Sequence, residues 1–150
     1  MPEPIIAVIG TGEPDEALEQ AAEAVGARLA EAGVTVVCGG LGGVMAAACR
    51  GAKTHGGRTI GILPGLDATA ANPWVDIALP TGLGEARNAL VVRAAQAVIA
   101  VGGGYGTLSE IALALKAGTP VIGLNTWDIP GAEHLTDPSS AVRRALERLP

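Results

Sequence analysis

AVIAVGGGYGTLSE, residues 97–110, is the stretch that decides the fold. Its first five residues are apolar, and three of them (Val98, Ile99, Val101) are β-branched. Such a run is too short for a buried helix and reads as a strand covered on both faces. Gly102, Gly103, Gly104 and Gly106 then interrupt it, and helical spacing from Thr107 to about Ala117 ends at Gly118, Thr119 and Pro120. Strand, glycine turn and helix, in that order, make up the repeating half of a parallel sheet with helices on both faces.

The same plan recurs on either side. Residues 5–9 read as a first strand, Gly10, Thr11 and Gly12 as a tight turn, and Pro14 as the start of a helix reaching about residue 32. Leu18, Ala21, Ala22, Val25 and Leu29 share one face of it, and Gly33 caps it. Residues 35–38 form a second strand, which runs into Gly39, Gly40, Gly42 and Gly43 and a helix over 44–53. Further strands are expected at 59–63, 77–79 and 121–124, with a helix over 85–95 and a last helix after Pro138. The loop before 77, rich in Pro, Asn and Asp, is placed to cover a ligand. The expectation is one Rossmann-like α/β domain over residues 1–150, an open parallel sheet with helices on both faces.

Composition narrows the function classes. Hydrophobic residues are 49% of the 150 and charged ones 17%, enough apolar surface to offset ordering entropy. A net charge of −5 excludes a general grip on nucleic acid, so any phosphate must be held locally. Arg143, Arg144 and Arg148 read as a solvated face of the last helix. Cys38 and Cys49 read as small buried hydrophobes, and His55 and His134 stand apart from them, so neither a metal nor a cofactor is expected. MPEPIIAVIG carries Pro and Glu where a secretory leader is basic, and its apolar run is too short to span a bilayer. A cytoplasmic protein without membrane contact is expected.

In an open parallel sheet the ligand crevice lies outside the carboxyl ends of the strands, where both glycine clusters fall. Glycine lets backbone approach a phosphate, and the free N–H groups at a helix start favour negative charge. Gly103, Gly104 and Gly106 would supply that backbone, with Gly39, Gly40, Gly42 and Gly43 opposite. The glycines could instead serve only tight turns and close packing; two clusters at equivalent positions favour binding. Thr107 either donates a hydroxyl to the ligand or simply caps the helix. Glu110, three residues on, either completes a capping box with Thr107 or faces the mouth. Arg87 starts a helix, where a cation opposes the dipole. It is aimed at phosphate or a carboxylate, or it snorkels to solvent. The pattern is neither a dinucleotide fingerprint, since a third glycine and an acidic residue after the second strand are missing, nor a Walker loop.

At these residues the chain resembles the Lonely Guy (LOG) family of cytokinin-activating phosphoribohydrolases, often labelled lysine decarboxylase-like, whose signature is PGGxGTxxE. The likeness runs through CGGLGGVM (38–45), Arg87 and GGYGTLSE (103–110). It is more similar still to small bacterial relatives carrying GLGEARN and VGGGYGTLSE, here 82–88 and 101–110, and the molybdenum-cofactor carrier proteins share the architecture. The resemblance implies a homodimer or higher homo-oligomer that binds a nucleoside 5'-monophosphate or similar phosphorylated small molecule. It also implies Arg87 and Glu110 as a catalytic pair for cleaving an N-glycosidic bond. A carboxylate there would stabilise the developing ribosyl cation and orient water. The alternative is a non-catalytic carrier or sensor of a phosphorylated ligand such as molybdenum cofactor. Two departures motivate it: Gly102 replaces the signature proline and frees the loop backbone, and Asn88 replaces a lysine beside the phosphate site. Lys53 and Lys116 both lie on amphipathic helices, so decarboxylation through pyridoxal phosphate has no support.

Overall fold

The most apolar strands take the centre of the sheet. In the computed structural model, which describes residues 2–150, β1 (Ile5–Gly10) lies between β2 (Thr35–Cys38) and β5 (Ala97–Val101), and the interiors of all three are buried. Outward from them run β3 (Thr59–Leu63) and β4 (Ile77–Pro80) on one side and β6 (Val121–Leu124) and β7 (Glu133–Leu135) on the other. The order is β4-β3-β2-β1-β5-β6-β7, with every pairing parallel. The expected Rossmann-like α/β class holds, and no described helix is long and apolar enough to cross a membrane.

Alternation along the strands divides the core into two layers, because successive side chains leave opposite faces of a sheet. Ile6, Val8, Val36, Ile99, Val101 and Ile122 pack under α1 (Glu16–Glu31), α2 (Val44–Thr54) and α5 (Pro138–Glu147). Their neighbours Ala7, Ile9, Val37, Val98, Ala100 and Val121 pack under α3 (Asn88–Arg93) and α4 (Tyr105–Lys116).

Several local readings change or sharpen. The segment before Pro138, expected as loop, contains β7. Its three residues carry no apolar run, and the strand is held from outside: Glu133 takes Arg144 Nε at 2.6 Å and also Arg148. Two arginines expected on a solvated face thus fasten an edge strand. The helix expected over 85–95 divides into a 3-10 turn, Gly84–Arg87, and the six-residue α3, because tertiary hydrogen bonds of Arg87 override local propensity. Asn72 ties the loop before β4 to the loop after β2, donating from Nδ2 to Leu41 O at 2.9 Å and from its backbone N–H to Gly40 O at 2.9 Å. Cys38 and Cys49 are buried free thiols, as expected, yet their sulfurs lie 3.5 Å apart. Their mutual hydrogen bond, aided by burial, pushes the Cys38 thiol up, and the same bond draws Cys49 down.

Helices α1 and α2 approach so closely that neither tolerates a side chain at the contact. A Cβ on Gly51 would stand 2.0 Å from Glu23 O, and one on Gly26 would stand 2.0 Å from Ala48 O. Backbone cannot yield as a flexible side chain does, so overpacking here separates the helices. Gly51→Ala is expected to lose about 2 kcal/mol, despite alanine's better helix propensity. Thermal denaturation checks this, with a fall in Tm of roughly 4–8 °C for a domain this size; an unchanged or raised Tm would contradict the packing.

Candidate functional site

Three loops converge where the strand order reverses. Gly10 lies opposite Val101 in the β1–β5 register, so the chain leaves the two central strands at one level. The loop after β1 also bonds to the loop after β2, Val44 N–H donating to Thr11 O at 3.0 Å. Between them opens a cavity of about 290 Å³. Of the residues singled out in the sequence, Gly39, Gly104, Gly106, Thr107, Arg87 and Glu110 line it together. Gly40, Gly42, Gly43 and Gly103 do not line it: Gly40 packs on Leu63, Gly43 on Thr11 O and Gly103 on Thr107, while Gly42 is exposed. Gly10, Thr11 and Gly12, read in the sequence only as a turn, and Met45, given no role of its own there, also line the cavity, as does Asn88, noted there only as a lost lysine beside the phosphate site. Their signal was position, since a loop at the carboxyl end of a strand beside the reversal faces the crevice whatever its motif.

The helix starts fall into two kinds. Asp15 caps α1 by accepting from Leu18 N–H at 3.0 Å, and Asp137 caps α5 by accepting from Ser140 N–H at 2.9 Å. In contrast, α2 and α4 begin at Gly43 and Gly104 with no side-chain cap and no acidic residue in the first turn. Intrahelical bonding in α4 begins with Leu108 N–H donating to Gly104 O at 3.0 Å. The N–H groups of Tyr105, Gly106 and Thr107 therefore have no partner within the helix, and their partial positive charge faces the cavity rim.

The helix starts earlier than its spacing suggests, which removes the capping box. Thr107 is the third residue of α4 rather than its cap, and it is buried against Gly103. Glu110 is the sixth, in the second turn, 7% exposed and lining the cavity. Burial pushes its carboxyl up to about 7, with Arg87 opposing as a nearby charge; no hydrogen bond contributes. At neutral pH this group is poised between acid and carboxylate, the state a general acid or base needs.

Arg87 does not snorkel. Its Nε donates to Ile62 O at 2.9 Å and its Nη2 reaches Gly39 O at 3.4 Å, so the guanidinium bridges the ends of β3 and β2. A Cβ on Gly39 would meet that guanidinium at 2.8 Å, so glycine there makes room for it. Asn88, buried, accepts from Arg87 Nη1 and donates to Ser109 Oγ at 3.1 Å, while Ser109 Oγ–H donates to Gly106 O at 2.7 Å. The residue that replaces a lysine thus fixes the arginine and links it to the start of α4. Arg87 is the sole cation among the cavity's lining residues, against Glu13 and Glu110.

Gly102 corrects an expectation. Its φ is +58°, which proline, locked near −65°, cannot adopt. Its N–H donates to Leu124 O at 3.0 Å and its carbonyl accepts from Thr126 Oγ1 at 2.6 Å. The absence of proline does not free the loop; a different turn fastens it.

An all-parallel sheet of this order, with glycine loops around a buried acid and an arginine at the reversal, defines a Rossmann-like α/β domain with its cavity at the switch point. The chain belongs to the SLOG cluster4 family, which it matches over residues 3–147. The resemblance carried by residues 38–45, 82–88 and 101–110 therefore holds at the level of the superfamily. An uncharacterised protein of Archaeoglobus fulgidus is 49% identical over 142 residues, spanning 94% of this chain and 93% of that one. Among solved structures, the molybdenum cofactor binding protein from the phototrophic bacterium Rippkaea orientalis superposes with a TM-score of 0.93 at 38% identity, over 98% of both chains. The molybdenum cofactor carrier protein from Chlamydomonas reinhardtii does so at 0.91 and 36%, again over 98% of both.

The raised Glu110 carboxyl has a measurable consequence. Because its pKa in the fold, about 7, lies above the ordinary 4.5, its contribution to stability is fully present below about pH 4.5 and is lost as pH rises through 7. The loss comes to about 3 kcal/mol. Glu110→Gln, which cannot ionise, is expected to escape it, so urea unfolding at pH 8 should find the variant more stable than wild type by about that amount, with the gap closing toward pH 4.5. Parallel pH profiles for the two proteins would contradict the assignment.

Proposed function

We propose that the protein is a cytoplasmic carrier of a phosphorylated pterin-type ligand, molybdenum cofactor being its cargo, held with the phosphate on the free amides of α4. The observation that carries this reading is the convergence on one cavity of an uncapped glycine helix start and the fixed guanidinium of Arg87. Backbone N–H groups and an arginine fork are the donors that a phosphate dianion takes. They also explain how a chain of net charge −5 holds an anion, by local donors rather than a general field. Support comes from the two cofactor-handling proteins it resembles along 98% of their chains. A homo-oligomer belongs to the same reading: β4 is an edge strand whose Ile77 and Leu79 are exposed, with exposed Leu66 and Leu83 nearby in the chain, and such edges and patches ask for cover.

One observation favours a second reading. Glu110, held at about 7 beside the same donors, suits hydrolysis of an N-glycosidic bond, with Arg87 anchoring the phosphate. The two readings separate in one experiment. Molybdenum cofactor released anaerobically from a molybdoenzyme is passed with the protein over a sizing column, and AMP is incubated with the protein in parallel. A carrier retains molybdenum with the protein peak and leaves AMP intact, and Arg87→Ala is expected to weaken retention at least tenfold, the loss of a charge-assisted contact. Release of adenine from AMP, abolished by Glu110→Ala, with no molybdenum retained, would establish the hydrolase instead.

A further inference from the structure

The chain has one tyrosine, two tryptophans and no phenylalanine, and two of those three rings meet beside the glycine loop. Trp127, in the segment after β6, packs against the core layer beneath α4 and donates from Nε1 to Gly104 O at 3.1 Å. Tyr105, the first residue of α4, stacks on it with ring centroids 6.1 Å apart and planes 26° apart. That is an offset-stacked pair within the favoured range. Yet Tyr105 remains 83% exposed, so its ring is supported from one side and open on the other.

We infer that Tyr105 is the residue that selects the ligand's ring, by stacking a flat heteroaromatic system on its open face. This rests on the phosphate-site reading above and assigns the other end of the ligand. One residue sets both ends, since the Tyr105 backbone N–H belongs to the free amides of α4 while its ring stands at the rim. The two spaces adjoin. A second, open groove of about 780 Å³ is lined by Tyr105, Pro64 and Leu113, and it shares Leu41, Arg87, Asn88 and Gly106 with the first cavity. A ligand with its phosphate in the smaller cavity would pass Arg87 and Asn88 to lay its ring in the larger groove, whose lining mixes Tyr105, Pro64 and Leu113 with Glu85 and Ser109. The class selected is a phosphate monoester carrying a flat fused ring; a sugar phosphate that lacks a flat aromatic ring fills the first cavity alone. A second copy of the chain seated on this face would cover Tyr105 and Leu113 with no call for a phosphate, and the test separates that case.

Titration calorimetry of wild type, Tyr105→Phe and Tyr105→Ala with ribose 5-phosphate, AMP and neopterin phosphate, with light scattering on each protein, tests the inference. Tyr105→Ala is expected to bind AMP and neopterin phosphate about tenfold or more weakly. Its loss for ribose 5-phosphate should be much smaller than for those two ligands, and Tyr105→Phe should restore their binding. Equal losses for all three ligands, no loss for the ring ligands, or a smaller assembly with unchanged ring affinity would overturn it. If wild type binds none of the three, the phosphate-site reading falls and this inference with it. If wild type binds ribose 5-phosphate but Tyr105→Ala keeps its ring ligands, only the inference falls.

Discussion

The parallel pairing of β1 with β2 on one side and β5 on the other is the constraint on which the molecule depends. It reverses the strand order at the centre of the sheet, so the chain leaves β1 and β5 toward opposite layers and opens a crevice between them. Close approach keeps that crevice in register. A Cβ on Gly10 would stand 2.5 Å from Val101 O, so a larger residue would force the two central strands apart at the point where their loops begin. The same closeness recurs between α1 and α2, whose glycines let one layer settle tightly enough for α2 to begin at the crevice.

Within that frame a few polar groups are fixed around the cavity. Arg87 is held at three points, on Ile62, Gly39 and Asn88, so little side-chain freedom remains to be lost when an anion arrives. Asn88 carries the same linkage to Ser109 and Gly106, making the arginine and the start of α4 one unit. Glu110 lines the same cavity, with burial raising its carboxyl and the arginine charge limiting the rise. A bound phosphate would oppose the charge of Arg87 and so favour the protonated acid. Anion binding and the protonation of Glu110 are in this way linked.

Much of this was legible in the sequence. The β-branched runs at 5–9, 35–38, 97–101 and 121–124 marked the strands, and the glycines after the second and fifth marked loops that meet in one mouth. What escaped did so for physical reasons. Strand β7 has no apolar signature because only Leu135 packs on the core, with ion pairs from Arg144 and Arg148 to Glu133 holding the strand as well. The T-x-x-E spacing imitated a capping box because glycine at 104 leaves no local sign that the helix starts two residues earlier. The part Asn88 plays in holding Arg87, and the contact between the Cys38 and Cys49 sulfurs, join neighbours or elements that only folding places at bonding distance. Gly102 shows the reverse case. A residue that reads as a loosened proline is a left-handed turn bonded at both its N–H and its carbonyl.

The central claim is that the uncapped start of α4 is the anion site, and the most direct measurement is an amide NMR titration with inorganic phosphate. The expected result is saturable shifts of the Tyr105, Gly106 and Thr107 N–H resonances, with the amides under the Asp15 and Asp137 caps unmoved. Shifts spread evenly over all helix starts, or none at residues 105–107, would contradict it.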